Sequence, residues 1–73
     1  MDASDLGNRL KEERTRQGLS QAELAARVRV SRKTINTVEN RVFAPSAVLA
    51  LRLAKALGTT VERLFFLTDD KSR

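Results

Sequence analysis

The sequence has no cysteine and no histidine, and only one proline and three glycines among its 73 residues. The chain therefore cannot form a disulfide, and a zinc or haem site and catalysis by a histidine or cysteine are not expected. No apolar run approaches the roughly 18 residues of a membrane-spanning helix, and the N-terminal residues do not have the pattern of a secretory signal. These absences predict a cytoplasmic protein with no cofactor, no metal and no membrane association.

The charge is unbalanced: 14 lysines and arginines face 9 aspartates and glutamates, which gives a net charge of +5. Such an excess in a small chain favours an anionic partner, nucleic acid first and an acidic membrane surface second. The alternative is a protein with a generally high isoelectric point and no anionic partner. The length predicts one domain spanning residues 1–73, with a core over residues 6–67 and frayed ends at 1–4 and 68–73.

Residues 20–40 have the pattern of two short helices joined by a tight turn. Ser20 and Glu23 are spaced as a capping box that begins the first helix, and Ser31 can cap the second. The apolar positions that would face each other are Leu24, Ala25, Val28, Ile35 and Val38. The opposite side of the second helix is basic and amide-bearing, as a helix-turn-helix that enters a DNA groove requires.

Three further helices are predicted around this motif. The first covers about residues 6–17, is capped by Ser4 or Asp5, buries Leu6 and Leu10, and ends at Gly18. The fourth starts at Pro45 and Ser46 and runs to about Leu57, before Gly58, and the fifth lies around residues 61–64.

The C-terminal half is unusually apolar. The fourth helix has only Arg52 and Lys55 as a polar stripe, so one face is expected in the core and the other is a candidate interface. Three consecutive apolar residues, 65–67, cannot all point inward from a helix, so this segment either becomes a strand or exposes part of its surface. We predict a homodimer whose interface includes Leu64, Phe65, Phe66 and Leu67. The alternative is that Phe65 and Leu67 complete the core.

The outer side of the third helix carries the residues expected to contact bases. Arg32 and Lys33 can donate to guanine, Asn36 can pair with adenine, and Thr37 offers a methyl group and a hydroxyl. Phosphate contacts are predicted for Gln21, Ser31, Thr34, Asn40, Arg41 and, through its backbone, Phe43. For Ser31 the structural alternative is helix capping alone.

These motifs resemble the lambdoid-repressor-type (Xre/Cro) family of helix-turn-helix regulators, and its small stand-alone members most of all. The resemblance covers about residues 6–67 and rests on RLKEERTRQGLSQAELA, VSRKTINTVEN, PS, LALRLAKALG and VERLFFL. It implies an all-α, compact five-helix DNA-binding domain that binds an inverted-repeat operator in double-stranded DNA as a two-fold dimer. It also implies base contacts from Arg32, Lys33 and Asn36, and phosphate contacts from Gln21 and Asn40. Arg14 and Glu39 would form a structural ion pair, and a short C-terminal strand could join the dimer interface.

Two positions depart from the family pattern. Arg29 in the helix-turn-helix turn and Arg41 after the Glu-Asn pair stand where the family usually has glycine. A non-glycine residue in left-handed geometry costs on the order of 1 kcal/mol. The hypothesis is that Arg41, with Arg29 as a secondary candidate, adds attraction for DNA phosphates.

The leading interpretation is a sequence-specific transcriptional regulator, a repressor that acts by occupying its operator. The first alternative is an antitoxin-type autorepressor, which would need a toxin-binding extension beyond the short C-terminal tail. The second is a protein-interaction module that uses the apolar C-terminal half, but Arg32 and Lys33 argue against it. A membrane-surface binder would need a more basic fourth helix. The carboxylates have no nucleophile or metal ligand to serve, so no enzymatic activity and no small-molecule ligand are predicted.

Overall fold

The computed structural model describes residues 5–68 as five helices and one short sheet. In chain order the elements are β1 (Leu6–Asn8), α1 (Leu10–Arg16), α2 (Gln21–Val28), α3 (Arg32–Glu39), α4 (Ala47–Ala56), α5 (Val61–Leu64) and β2 (Phe65–Leu67). The predicted cap at Ser4 and the predicted frayed ends, apart from Thr68, lie outside the described residues. The five-helix fold and the C-terminal strand are confirmed. None of the helices within residues 5–68 is long and apolar enough to cross a membrane.

Side-chain caps start four of the five helices. The side chains of Ser20, Ser31, Ser46 and Thr60 each accept a hydrogen bond from the backbone N–H three residues later. Each such cap typically contributes about 1 kcal/mol. At Ser20 the capping box is complete, because the Glu23 carboxylate also accepts from the Ser20 N–H at 2.8 Å. This hydrogen bond lowers the pKa of Glu23 below its ordinary value.

The prediction that the first helix begins near residue 6 is wrong. Residues 6–8 form β1, which pairs antiparallel with β2 in the register Leu6 with Leu67, Gly7 with Phe66 and Asn8 with Phe65. The helix starts at Leu10, whose N–H donates to the Asn8 side chain at 3.1 Å. Gly7 would destabilise the interior of a helix, which favours the strand. The partner strand lies at the far end of the sequence, so the local pattern of residues 6–10 does not reveal the pairing.

The core is built from the inner faces of all five helices and from β2. Its largest fully buried side chains are Leu10, Leu24, Val28, Ile35, Val38, Leu53 and Leu64. α4 contributes Leu49, Ala50, Leu53 and Ala54 to this core, whereas Val48 and Leu51 on its outer face are 58% and 61% exposed. The outer face of α4 is thus apolar and open.

The four residues predicted for a dimer interface divide into two pairs. Leu64 is fully buried and Phe65 is 7% exposed, so both side chains belong to the core of the monomer and are not displayed to a partner. Phe66 and Leu67 are 39% and 52% exposed. The ring of Phe66 lies over Gly7, and the Arg9 guanidinium stacks on it at 4.7 Å from the ring centre. β2 therefore pairs with β1 of the same chain, and its Phe66 and Leu67 side chains remain exposed.

Candidate nucleic-acid interface

The outer side of α3 presents the residues predicted to contact bases. Ile35 and Val38 are buried beneath the helix, and Arg32, Lys33 and Asn36 are exposed on the opposite side. Eight residues make a rod about 12 Å long, short enough to lie within a major groove. Thr37 is half-buried, and its hydroxyl donates to the Thr34 carbonyl at 2.9 Å. The Thr37 methyl group can therefore contact a base, and the hydroxyl oxygen can still accept a hydrogen bond from one.

The turns on either side of α3 are closed by arginines in the left-handed region. Arg29 has φ 63° and Arg41 has φ 62°, which is the geometry expected where the family usually has glycine. Each costs on the order of 1 kcal/mol relative to glycine. The backbone is therefore strained at two positions, one before α3 and one after it.

A nearly buried ion pair anchors the C-terminal end of α3 to α1. Arg14 and Glu39 meet through two hydrogen bonds, Nε to Oε2 at 2.6 Å and Nη2 to Oε1 at 3.2 Å. Their side chains are 12% and 3% exposed, and the hydrogen bond that Arg14 donates to Glu39 raises the pKa of Arg14. Arg14 Nη1 also donates to the Leu19 carbonyl at 2.9 Å. The guanidinium thus holds α3 and the start of α2 in one place, because its bidentate geometry fixes angles as well as distance.

Gln21 connects this ion pair to the outer side of α3. Its amide nitrogen donates to Glu39 Oε1 at 3.0 Å and to Asn36 Oδ1 at 3.2 Å. Its amide oxygen accepts from Arg32 Nη1 at 3.0 Å. The side chains of Arg32 and Asn36 are therefore held side by side before any ligand is present.

A second amide completes the arrangement. Asn40 Nδ2 donates to the Asn36 carbonyl at 2.9 Å and to Asn36 Oδ1 at 3.1 Å. Asn36 Oδ1 thus accepts from both Gln21 and Asn40, and its own NH₂ group is what it can direct at a base. The network from Arg14 through Gln21 to Asn40 could not be deduced from sequence spacing, because its members come from three helices and a loop.

The remaining predicted phosphate contacts are placed near the ends of α3. Ser31 caps the helix, and its hydroxyl also lies 3.0 Å from that of Thr34. Arg41 follows the helix and is exposed. The Phe43 N–H donates to the Thr37 carbonyl at 3.3 Å, so this donor is already used within the chain. A phosphate contact through the Phe43 backbone N–H is for that reason not favoured by the geometry.

Comparisons with known proteins agree with this geometry. The sequence profile of the helix-turn-helix family matches residues 10–64. An uncharacterized HTH-type transcriptional regulator of Methanothermobacter thermautotrophicus is 43% identical over 65 residues, 88% of this chain and 94% of the relative. The HTH-type transcriptional regulator YgzD of Bacillus subtilis is 38% identical over 86% of this chain and 96% of its own length.

Solved structures lead to the same group. The restriction-modification controller protein C.AhdI of Aeromonas hydrophila is 38% identical with a TM-score of 0.72, over 75% of this chain and 83% of that one. The clp gene regulator ClgR of Corynebacterium glutamicum is 31% identical with a TM-score of 0.69, over 71% of this chain and 55% of that one. These relatives are named as regulators, not enzymes. The chain belongs to the lambdoid-repressor-type helix-turn-helix family of DNA-binding transcriptional regulators.

Proposed function

We propose that the protein is a cytoplasmic repressor that binds an inverted-repeat operator in double-stranded DNA as a homodimer and acts by occupying it. The observation that carries the proposal is the Gln21 side chain, which holds Arg32 and Asn36 together on the outer side of α3. Side chains fixed before binding lose less conformational freedom when they meet a base, which favours specific over merely electrostatic binding.

Arg32 and Lys33 are assigned to guanine in this proposal. Arg32 uses Nη1 for Gln21 and has further N–H groups to donate to guanine O6 and N7. Lys33 is exposed next to it and supplies a second cation. Thr37 would place its methyl group against a thymine methyl.

Asn36 is assigned to donate a hydrogen bond from its NH₂ group to an acceptor atom of a base. Bidentate pairing with adenine needs an Asn36 oxygen that can accept from adenine N6, but Oδ1 already accepts from Gln21 and Asn40. Adenine pairing therefore requires one of these two amides to release Oδ1 on binding. Without that release, Asn36 donates to N7 of a purine.

Phosphate contacts are assigned to the ends of the two helices. Both hydrogens of the Gln21 amide are used within the chain, so Gln21 would contact a phosphate through its backbone N–H, which lies in the first turn of α2 where intrahelical acceptors are lacking. Asn40 and Arg41 flank the other end of α3. Ser31 and Thr34 would each contribute a hydroxyl.

The homodimer is supported by two exposed apolar areas. Val48 and Leu51 lie on the outer face of α4, and Phe66 and Leu67 lie on β2. A second copy that covered these side chains would remove apolar surface from water and present two α3 helices to one duplex. This narrows the predicted interface on β2 to Phe66 and Leu67.

Selection of the purified protein on random duplex DNA tests the proposal. We expect an inverted repeat with half-sites about one helical turn apart. Arg32→Ala and Asn36→Ala should each weaken binding by about 1–3 kcal/mol and relax preference at one position per half-site. Lys11→Ala on α1 serves as the control that removes a charge away from α3. If no sequence is enriched and binding simply vanishes as salt rises, the protein has only backbone attraction, and a protein partner on the apolar areas becomes the better assignment.

A further inference from the structure

A concave basic groove lies between the C-terminal ends of α2 and α4 and includes a residue of the turn before α3. It has a volume of about 500 Å³ and is lined by Arg27, Val28, Arg29, Arg52, Lys55 and Ala56. Four of these six are cations, and none of the described residues that line the groove is acidic. Arg27 is attracted by Glu23 one turn earlier on α2, but Glu23 is held in the capping box at Ser20.

Helix stability explains only half of these cations. Arg27 and Lys55 lie in the last turns of α2 and α4, where positive charge favours the helix dipole. Arg29 lies beyond the end of α2, in left-handed geometry at φ 63°, and thus adds strain. Arg52 lies one turn before the end of α4. Arg29 and Arg52 therefore have no evident role in helix stability.

We propose that this groove is a binding site for a compact polyanion, a small molecule that carries two or more phosphate groups. Its volume falls within the range of small-molecule sites. Three arginines supply planar guanidinium groups that can bind phosphate oxygens in pairs, and a lysine supplies a fourth charge. The bound ligand would neutralise the cluster and bridge α2, the turn before α3, and α4. This proposal assigns Arg29 to the polyanion and not to the DNA phosphates considered for it from the sequence, and it does not depend on the proposed repressor function.

A small ligand fits the groove better than DNA does. Arg27 lies about 9 Å along α2 from Gln21, the residue that marks the DNA-facing end of that helix. Arg52 and Lys55 belong to α4, which contributes none of the residues assigned to DNA. The four cationic residues also line a single concavity, whereas a DNA backbone requires cations spread along a track.

Titration of the ¹⁵N-labelled protein with inorganic pyrophosphate, at constant ionic strength, tests the proposal. We expect the largest shifts at residues 27–29 and 52–56. Arg52→Gln/Lys55→Gln should weaken pyrophosphate binding at least tenfold. The matched control, Lys11→Gln/Arg63→Gln, removes the same charge from exposed positions outside the groove and should change binding less than threefold.

A single variant gives the sharpest test, because it should raise the stability of the free protein and lower its affinity for pyrophosphate. Arg29→Gly relieves the left-handed strain, so the Tm of the free protein should rise while the affinity for pyrophosphate falls. Equal weakening in both double variants would show attraction by net charge only and would overturn the proposal. Largest shifts at Arg32 and Lys33, or loss of random-duplex binding by Arg52→Gln/Lys55→Gln alone, would assign these cations to DNA and overturn it as well.

Discussion

Breaking the Arg14–Glu39 ion pair should cost more stability than removing both partners. Glu39→Leu leaves the Arg14 guanidinium beside an apolar side chain, with 12% of its own side chain exposed. Removal of one partner of a buried pair costs about 3–5 kcal/mol, and we take about 3 kcal/mol because water lies close to every part of so small a domain. At 0.05–0.15 kcal/mol per residue, the whole domain has about 4–11 kcal/mol to lose.

Arg14→Met/Glu39→Leu removes both charges and fills the space with side chains of similar length. The Leu19 carbonyl loses the donor that lies at 2.9 Å, which costs about 1–3 kcal/mol. No unpaired charge is left, so the double variant should be more stable than Glu39→Leu alone. Arg14→Met alone leaves the Glu39 carboxylate without its cation and should likewise cost about 3 kcal/mol. The two single losses together thus exceed the loss in the double variant by about 3–5 kcal/mol, which is the coupling expected in a double-mutant cycle.

Urea unfolding followed by circular dichroism at 222 nm measures the cycle. The matched control is Glu13→Leu, which breaks the exposed pair of Glu13 with Arg16 on α1 and should leave the midpoint nearly unchanged. A loss below about 1 kcal/mol in Glu39→Leu would refute the reasoning, because the pair would then behave as an exposed one. So would a double variant as unstable as the sum of the singles. If the double variant is stable but binds operator poorly, the loss of the Glu39 contact to Gln21 accounts for it.

Three further predictions concern single positions. Arg41→Gly should flatten the salt dependence of DNA binding by about one phosphate's share, and an unchanged slope would exclude the phosphate contact. Gly7→Ala should destabilise the fold by about 1 kcal/mol, because the added Cβ would lie 2.3 Å from the Phe66 ring; in a Phe66→Ala background the penalty in urea unfolding should shrink. The pKa of Glu23 is lower in the folded protein than its ordinary value of 4.5. The hydrogen bond to its carboxylate therefore stabilises the fold at pH values above 4.5, and this contribution is lost as the pH falls through the folded pKa. Since glutamine can also accept from the Ser20 N–H, the Tm difference between wild type and Glu23→Gln reports the charge of Glu23. It should vanish in acid, and a difference that persists there would contradict the contribution of that charge.

Local sequence was sufficient for the features that depend on neighbouring residues. The caps at Ser20, Ser31 and Ser46 could be predicted because a cap needs only its own side chain and the backbone three residues on. The start of α1 could not, because Leu6 and Leu10 have the spacing of one helical face. Only the pairing of β1 with β2 makes Leu6 a strand residue, and that pairing depends on residues at the other end of the chain.

The same limit applies to the candidate interface. The outward side of α3 follows from the period of its apolar residues. The hydrogen bonds of Gln21 do not, because they depend on how α2 crosses α3 and on which rotamers the amides adopt. The basic groove was also missed, since Arg29 and Arg52 become neighbours only when α2 packs on α4.

The short sheet makes the described chain almost a closed ring. Asp5 and Thr68 are joined by a hydrogen bond of 2.9 Å, from the Thr68 N–H to the Asp5 carbonyl. A circular permutant could therefore link these two ends with a few flexible residues and open the chain in the loop between α3 and α4, at residues 43–45. The new linker would join two ends that are already in contact, so the helix-turn-helix would keep its architecture. The new chain ends would then lie close to the C-terminal end of α3.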